Sequence, residues 1–373
     1  MAKTTVPRHR DAEALSGLLD TPEIRGLIAD LEATRWTGRP GYPIRAMVGM
    51  CLIKALYVIP TWSRVVRLVA EHEALQRVLG ATPSADAAYR FTRKLRTHSD
   101  ALTACIDAVL ASLAVENPAM GDVVAMDGSD LPAYSNGQGK AKGLGPDVVP
   151  SSDPDASWGH RSAVSTRSAG FYFGYKLHVA VDVATELPVA WELRSARDGE
   201  SPLVPGLLDE TRRRGFGASI AILDKGYDKN PVYNACQVRG IRPIIPLCET
   251  TKVKAGLHSP NKCGHGTWVF AGADMKRGAA KWRCPTGQCL PTASMWVPAS
   301  RLHTLIPRTT DRWSKLYRQR GSVERGFGRL KHEFGMLPLR VRRIDRVRLH
   351  VDLAILAQLV TALTKARAVP LAA

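Results

Sequence analysis

The sequence predicts an α/β protein: a mixed β-sheet core, a helical N-terminal region before it, and a β-rich, irregular insertion ahead of a late helix. Three observations carry that expectation. Up to about residue 115, apolar residues recur at spacings of three and four, the period of helices buried on one face. From residue 122 the text changes to short β-branched runs, first three strands and then helix and strand in alternation, which suits a sheet of mixed pairing. Between residues 248 and 310 stand four of the seven Cys, three His and three Trp, with no clear helical period.

Taken in order, helical text starts near Pro22, with the clearest periodicity over Ile44–Leu56, Val65–Leu79 and Leu102–Leu113. Pro60 and Gly80 act as stops. Ser84, after Thr82-Pro83, is placed to cap a helix running to Arg96. That helix carries Arg90, Arg93, Lys94 and Arg96 in its C-terminal half; cations there suit the helix dipole as well as they suit DNA. Strands are expected over 123–130 (VVAMDGSD), 173–183 (FGYKLHVAVDV) and 188–196 (PVAWELRSA). A helix over Leu203–Arg214 leads to strands ending in Asp224 and in IRPIIPL. Residues 135–170, rich in Gly, Ser, Asp and Pro, read as one long loop. Helices return over Lys315–His332 and Leu349–Lys365. The expected organisation is a helical domain over 1–120, the first part of a sheet core over 121–247, an insertion over 248–310, and core helices over 311–373. The length of 373 residues suits two or three such units.

Composition narrows the function. Hydrophobic residues make up 45% and charged residues 23%, enough for sizeable cores and unlike a disordered chain. The net charge is +18 and is unevenly spread: residues 1–121 hold 15 basic and 12 acidic side chains, residues 122–300 hold 21 and 17, and residues 301–373 hold 16 and 5. An excess concentrated in the last fifth of the chain points to a surface that tracks phosphates; the alternative is a solvated basic helix face. The opening residues lack the apolar core of a secretion signal. The run Ala46–Pro60 is interrupted by Lys54 and too short to span a bilayer. Seven Cys, an odd number without small-scaffold spacing, fit a reducing compartment. The expectation is a cytoplasmic, nucleoid-associated protein with a nucleic-acid partner and no membrane.

Three carboxylates stand out by context. Asp127 closes the run VVAM, Asp224 closes ASIAIL, and Glu324 lies in the helical text YRQRGSVERGFGRLK. Acids at the C-terminal edges of buried strands are where sites on α/β sheets usually form. Convergent carboxylates would suit Mg²⁺, which prefers oxygen ligands, and a pair of ions that activates the attacking oxygen and stabilises the leaving one. Singly, each also reads as a turn acid. Asp130 and Asp228 are local competitors for the same role.

Around Glu324 the chain carries Tyr317, Arg320 and Lys331, which gives Tyr, two residues, Arg, three residues, Glu, six residues, Lys. In this the chain resembles a large branch of the insertion-sequence transposases with an Asp-Asp-Glu (DDE) triad. The contexts MDGSDLPAY, LDKGYD, SDPDASWGH and GYKLHVAVD, and the helical text from GRPGYPIRAM to RFTRKL, are similar to that family too. The resemblance implies a ribonuclease-H-like core, a two-metal site for Mg²⁺ or Mn²⁺ held by Asp127, Asp224 and Glu324, and cleavage and strand transfer of DNA. It implies double-stranded DNA, both element ends and target, as partner, and a homodimer or larger assembly on it. Tyr317, Arg320, Arg325, Arg329 and Lys331 are the expected DNA-binding residues of the Glu324 helix; Arg320 and Lys331 also read as surface partners of Glu324 or Glu333. In family members that cleave through a hairpin, a Trp of the insertion stacks on a displaced base, and here Trp268, Trp282 and Trp296 are the candidates. A nuclease on the same core would cut without joining. A domesticated DNA-binding protein would be expected to have lost an acid, and all three are present.

The insertion also holds Cys263, His265, Cys284 and Cys289, with Cys248 and His258 nearby. Four N/S ligands in a segment with little core suit structural Zn²⁺, although the spacing departs from paired C-x2-C. Buried free thiols are the other reading.

Overall fold

A computed structural model describes residues 10–34, 41–137, 151–161, 168–248 and 259–368. Among the described residues seven helices come first: α1 (Arg10–Leu19), α2 (Pro22–Ala33), α3 (Ile44–Leu56), α4 (Trp62–Glu71), α5 (Glu73–Leu79), α6 (Ala85–Thr97) and α7 (Ser99–Glu116). Helix α3 is apolar on nearly every face, with Ile44, Ala46–Ile53 and Ala55 all buried; α1, α2, α4, α5 and α6 pack against it. Helical structure starts earlier than expected, because α1 turns Ala12, Leu15, Leu18 and Leu19 inward. The expected single helix over Val65–Leu79 is two. His72 is extended (φ −118°, ψ 96°), and the break lets α5 bury Leu75 and Leu79 while it packs against α1. Ser84 caps α6 as expected, its Oγ accepting from Ala87 N at 3.2 Å.

The sheet follows: β1 (Val123–Pro132), β2 (Ser157–Arg161), β3 (Gly170–Asp182), β4 (Pro188–Ser195), β5 (Ile220–Ile222) and β6 (Arg242–Ile244). Its order is β2-β3-β1-β5-β6, with β4 also on β3. Thirteen residues long, β3 takes β2 along its first part and β4 along its second, both antiparallel, and β1 antiparallel on its other edge. The β1–β5 and β5–β6 pairs are parallel. The antiparallel strands β4, β3 and β1, continued by the parallel β5 and β6, make the ribonuclease-H-like arrangement, and β2 extends the β3 edge. One expectation fails here: residues 135–170 are not one loop, since Ser157–Arg161 pairs with β3. Only five residues long and with no continuous apolar run, β2 draws its order from β3, not from its own text.

Helices α8 (Val204–Arg213) and α9 (Asn230–Gln237) connect β4 to β5 and β5 to β6. Among the described residues of the insertion the regular elements are strands: β7 (Lys262–Cys263) pairs with β8 (Gly266–Thr267), and β9 (Val269–Asp274), β10 (Ala279–Arg283) and β11 (Ser294–Pro298) form a three-stranded antiparallel sheet. Its core is separate, made of Trp268, Ala280, Trp282 and Cys284, whereas one continuous apolar cluster joins the N-terminal helices to the main sheet.

The chain returns through α10 (Asp311–Tyr317), a 3₁₀ turn over Arg318–Arg320, and α11 (Gly321–His332), so the expected helix Lys315–His332 is interrupted at the turn. Helix α11 lies across β1 and β3. Gly326 permits that approach, since a Cβ there would stand 3.1 Å from the Glu186 carbonyl. The last helix, α12 (Ile344–Ala368), starts five residues before its expected beginning at Leu349. Among the described residues it is the one unbroken helix long and apolar enough to cross a membrane, and its apolar surface is spent on α7, α3 and β4.

Candidate active site and nucleic-acid interface

Strand register brings the first two acids together. Ala125 of β1 pairs with Ile222 of β5 in parallel, so Asp127 and Asp224, each two residues further on, stand side by side. Asp127 is not at a strand end, as its text suggested. Strand β5 stops at Ile222, but β1 continues on β3 as far as the pair Pro132–Gly174. From Met126 on, β1 therefore has a strand partner on one side only, and Asp127–Asp130 change from buried to partly buried. Asp224 closes the buried strand and caps the turn Lys225–Tyr227, accepting from Gly226 N at 2.6 Å.

The third acid comes from α11. Arg320, one turn before Glu324, donates from Nη1 to Asp127 Oδ2 at 3.0 Å and from Nη2 to Glu324 Oε1. One guanidinium thus spans β1 and α11. Burial pushes the Asp127 carboxyl up to about 7; the Gly128 N–H opposes this, the charges of Glu200 and Asp224 add to it, and Arg320 opposes it. Burial also raises the Tyr317 hydroxyl, against Arg320 and with Asp224, Asp127 and Glu324. All three acids therefore lie within electrostatic reach of Tyr317, whose ring stacks on Trp313 at 5.0 Å. Glu324 is 59% exposed, so the cluster opens to solvent on the α11 side.

A fourth carboxylate, unforeseen, belongs to this neighbourhood. Glu200 takes a 2.8 Å ion pair from Lys176 Nζ of β3 and a hydrogen bond from Tyr227, whose hydroxyl burial drives well above its ordinary value. Gly128 is tightly enclosed: a Cβ there would stand 3.0 Å from His178 Nδ1, 3.1 Å from Lys176 Cδ and 3.2 Å from Glu200 Oε1. Burial, helped by Lys176, pushes His178 down to about 4, so it stays neutral at pH 7. Lys176 and His178 lie in the text GYKLHVAVD; Glu200 sits in a connection with no motif around it.

The two competitors are occupied elsewhere. Asp228 is buried and receives Arg301 Nε (2.9 Å) and Nη2 (2.7 Å), the Tyr233 hydroxyl (3.0 Å) and Cys248 N (2.8 Å). Burial alone would raise its carboxyl, but these partners outweigh it and hold it low. Asp130 pairs with Arg161 at 3.5 Å and with Lys331 at 3.6 Å. Of the expected DNA-binding residues, Tyr317 and Arg320 meet the acids, and Lys331 reaches β1 three residues beyond Asp127. Arg325 and Arg329 do not join them; both pair with Glu186 at the β3–β4 turn.

The two basic segments noticed in the sequence meet in space. Arg93 and Arg96 of α6 and Arg340, Arg342 and Arg346 line one cleft of about 400 Å³, together with Tyr134. Arg340 and Arg342 each hold a guanidinium 5.1 Å from the Tyr134 ring centre, and Arg342 Nε donates to the Tyr134 carbonyl at 2.7 Å. Tyr134 follows β1 directly, so the cleft adjoins the strand that carries Asp127. In the insertion, Trp268 and Trp282 are buried and Trp296 is 38% exposed, with Arg277 and Lys281 over its ring at 5.2 and 6.0 Å. His258 lies outside the described residues.

A family model described as "Transposase DDE domain" matches residues 118–360, and one described as "Transposase domain (DUF772)" matches residues 2–94. No curated protein matches the sequence. Among solved structures, a chain from a piggyBac transposase synaptic complex with hairpin DNA aligns at a TM-score of 0.42 and 13% identity, over 97% of this chain and 77% of that one.

Proposed function

The chain belongs to the DDE-domain transposases, and on that premise we propose that Asp127, Asp224 and Glu324 are the acids through which it cleaves DNA at the ends of an insertion sequence and joins those ends to a target. The observation that carries this reading is the convergence just described: register aligns Asp127 with Asp224, and Arg320 ties Asp127 to Glu324. The donor set fits a divalent ion. Its atoms are carboxylate oxygens, the choice of hard cations. Crowding of Asp127 by Asp224 and Glu200 raises its carboxyl, a charge conflict that a cation relieves. Between Asp127 and Glu324 the site already accepts a guanidinium. Mg²⁺ or Mn²⁺ held by Asp127, Asp224 and Glu324, as a pair of ions, would supply activation of the attacking oxygen and stabilisation of the leaving one.

The chain's own residues do the rest. Arg320 holds the β1 and α11 acids in register, and its five donors suit a phosphate at the same place. Lys176 and Tyr227 fix Glu200 beside Asp127, and Gly128 keeps the floor of the site free of a side chain. Lys331 and the arginines of the Tyr134 cleft track the backbone of double-stranded DNA, a sequence-independent contact. Arg325 and Arg329, on the next face of α11, reach phosphates outside the acid cluster. Trp296 is the insertion's aromatic surface for a displaced base. The protein acts as a homodimer or larger assembly, in the cytoplasm on the nucleoid, because two element ends must meet one target.

A cleavage and joining assay tests this, with purified protein, Mg²⁺ or Mn²⁺, labelled DNA bearing the element's flanking ends, and Glu324→Gln beside wild type. Metal-dependent 3′-OH ends that join a second duplex, lost in the variant, are expected. Cutting without joining would reduce the protein to a nuclease. DNA binding with neither activity, unchanged in the variant, would remove the acids from any catalytic role.

A further inference from the structure

The insertion brings Cys263 at the end of β7, His265 in the β7–β8 turn, Cys284 just after β10 and Cys289 in the β10–β11 connection to one point. Their four ligand atoms all lie within 4.8 Å of one another. Cys263 Sγ stands 3.7 Å from Cys284 Sγ, and His265 Nδ1 stands 3.6 Å from Cys284 Sγ and 3.5 Å from Cys289 Sγ. Zn–S bonds of about 2.3 Å and Zn–N bonds of about 2.05 Å at tetrahedral angles require S···S edges of about 3.8 Å and S···N edges of about 3.6 Å. The three separations match those edges. Side chains from two hairpins thus set three of the six edges of a zinc tetrahedron, and the other three are no longer than 4.8 Å.

We propose that the insertion binds a structural Zn²⁺ ion through Cys263, His265, Cys284 and Cys289, separate from the acids of the main sheet. Ligand chemistry selects the metal, since three thiolates and an imidazole form a soft set suited to zinc, unlike the oxygen-only set around Asp127. Four protein ligands close the coordination sphere, which marks a structural and not a catalytic site. A disulfide would use two of the three cysteines and strand the third.

Energetics give the ion a purpose. The core of the insertion comprises four buried residues, one of them Cys284 itself, and segments of about 40 residues seldom hold together on so little without a metal, a disulfide or a partner. On binding, the three thiols give up their protons to solvent and the thiolates take the metal in their place. The ion then clamps the β7–β8 hairpin to the end of β10. That fixes β10, whose Lys281 lies over the Trp296 ring of β11, so the exposed aromatic surface depends on the clamp.

The test is metal content of the full-length protein, purified under reducing conditions and passed through gel filtration. About one zinc per chain is expected for the closed site, lost in Cys263→Ser and Cys284→Ser and retained in Cys248→Ser. Replacing zinc by Co²⁺ should give the visible absorption of tetrahedral thiolate cobalt. If the serine variants aggregate, a mercurial added to wild type should release the zinc as it titrates the thiols. Wild type that carries no zinc and gives no thiolate–cobalt absorption overturns the proposal, as does zinc retained in Cys284→Ser, or a disulfide between two of these cysteines under the same conditions. Glu324→Gln should keep its zinc while losing joining, so this proposal and the reading of the acids fail separately.

Discussion

The main sheet and the insertion each gather side chains of metal-ligand chemistry, and they do so in opposite ways. The acids come from positions 127, 224 and 324, far apart in the chain, and are aligned by strand register and one helix packed on a continuous apolar core. The Cys/His cluster comes from a single stretch between residues 263 and 289 with a four-residue core of its own. In the first region the scaffold exists before any ion and the ligands hang from it. In the second, on the proposal above, the ion is part of the scaffold. The first should lose chemistry and keep its fold when its ligands change, and the second should lose its fold.

The largest expected effect is on chemistry. Glu324→Gln and Asp127→Asn should each lower strand cleavage by roughly 10³-fold or more, with the thermal unfolding midpoint essentially kept; a collapse of that midpoint would break the contrast. Next, a zinc chelator should open the insertion locally, a loss of several kcal/mol where binding and folding are one event. Hydrogen exchange should rise over 259–298 and stay protected over β1, β3 and α12. Uniform exchange across the chain would show that the two regions do not differ in this way.

The join between the regions comes third. Arg301, just past the insertion's last strand, holds the buried Asp228 of the core at 2.7 Å. Asp228→Ala should cost about 3 kcal/mol, as removal of one partner of a buried ion pair does, and should raise protease cleavage near residue 301 before the sheet itself unfolds. The smallest effect is a pH slope. His350 of α12 is pushed down to about 3 by burial, then by Lys54, against hydrogen bonds to Met336 and Gly335. Its folded value lies below its unfolded one. The stability it contributes is therefore complete above about pH 6.5 and falls by about 1.4 kcal/mol per pH unit below that, as the unfolded chain takes up the proton. Chemical denaturation from pH 7 to 5 should show a shallower loss in His350→Gln than in wild type.

Much of the fold and the candidate acids could be read in the sequence, because hydrophobic period and motif spacing are local properties of the text, whereas the register that aligns Asp127 with Asp224 is not. The strands around Asp127 and Asp224, the Ser84 cap and the helix that carries Glu324 all follow from runs of a few residues. What escaped depends on partners distant in sequence. β2 is ordered by β3, and the bend at His72 exists so that Leu75 and Leu79 can meet α1. Asp127 sits inside a strand because β3 carries β1 on to Pro132 after β5 has ended. Glu200 joins the acids only through Lys176, Tyr227 and the bare Gly128. The Cys/His cluster was visible as composition, but its geometry comes from two hairpins that the sequence does not announce.

The most direct measurement is Fe²⁺ with ascorbate, which cuts a protein's own backbone where the bound ion generates hydroxyl radicals. Convergence of Asp127, Asp224 and Glu324 on one ion predicts cuts near residues 127, 224 and 324 together, suppressed by Mg²⁺ and weakened in Glu324→Gln. Cuts at only one of the three places, or a pattern that Mg²⁺ leaves unchanged, would contradict it.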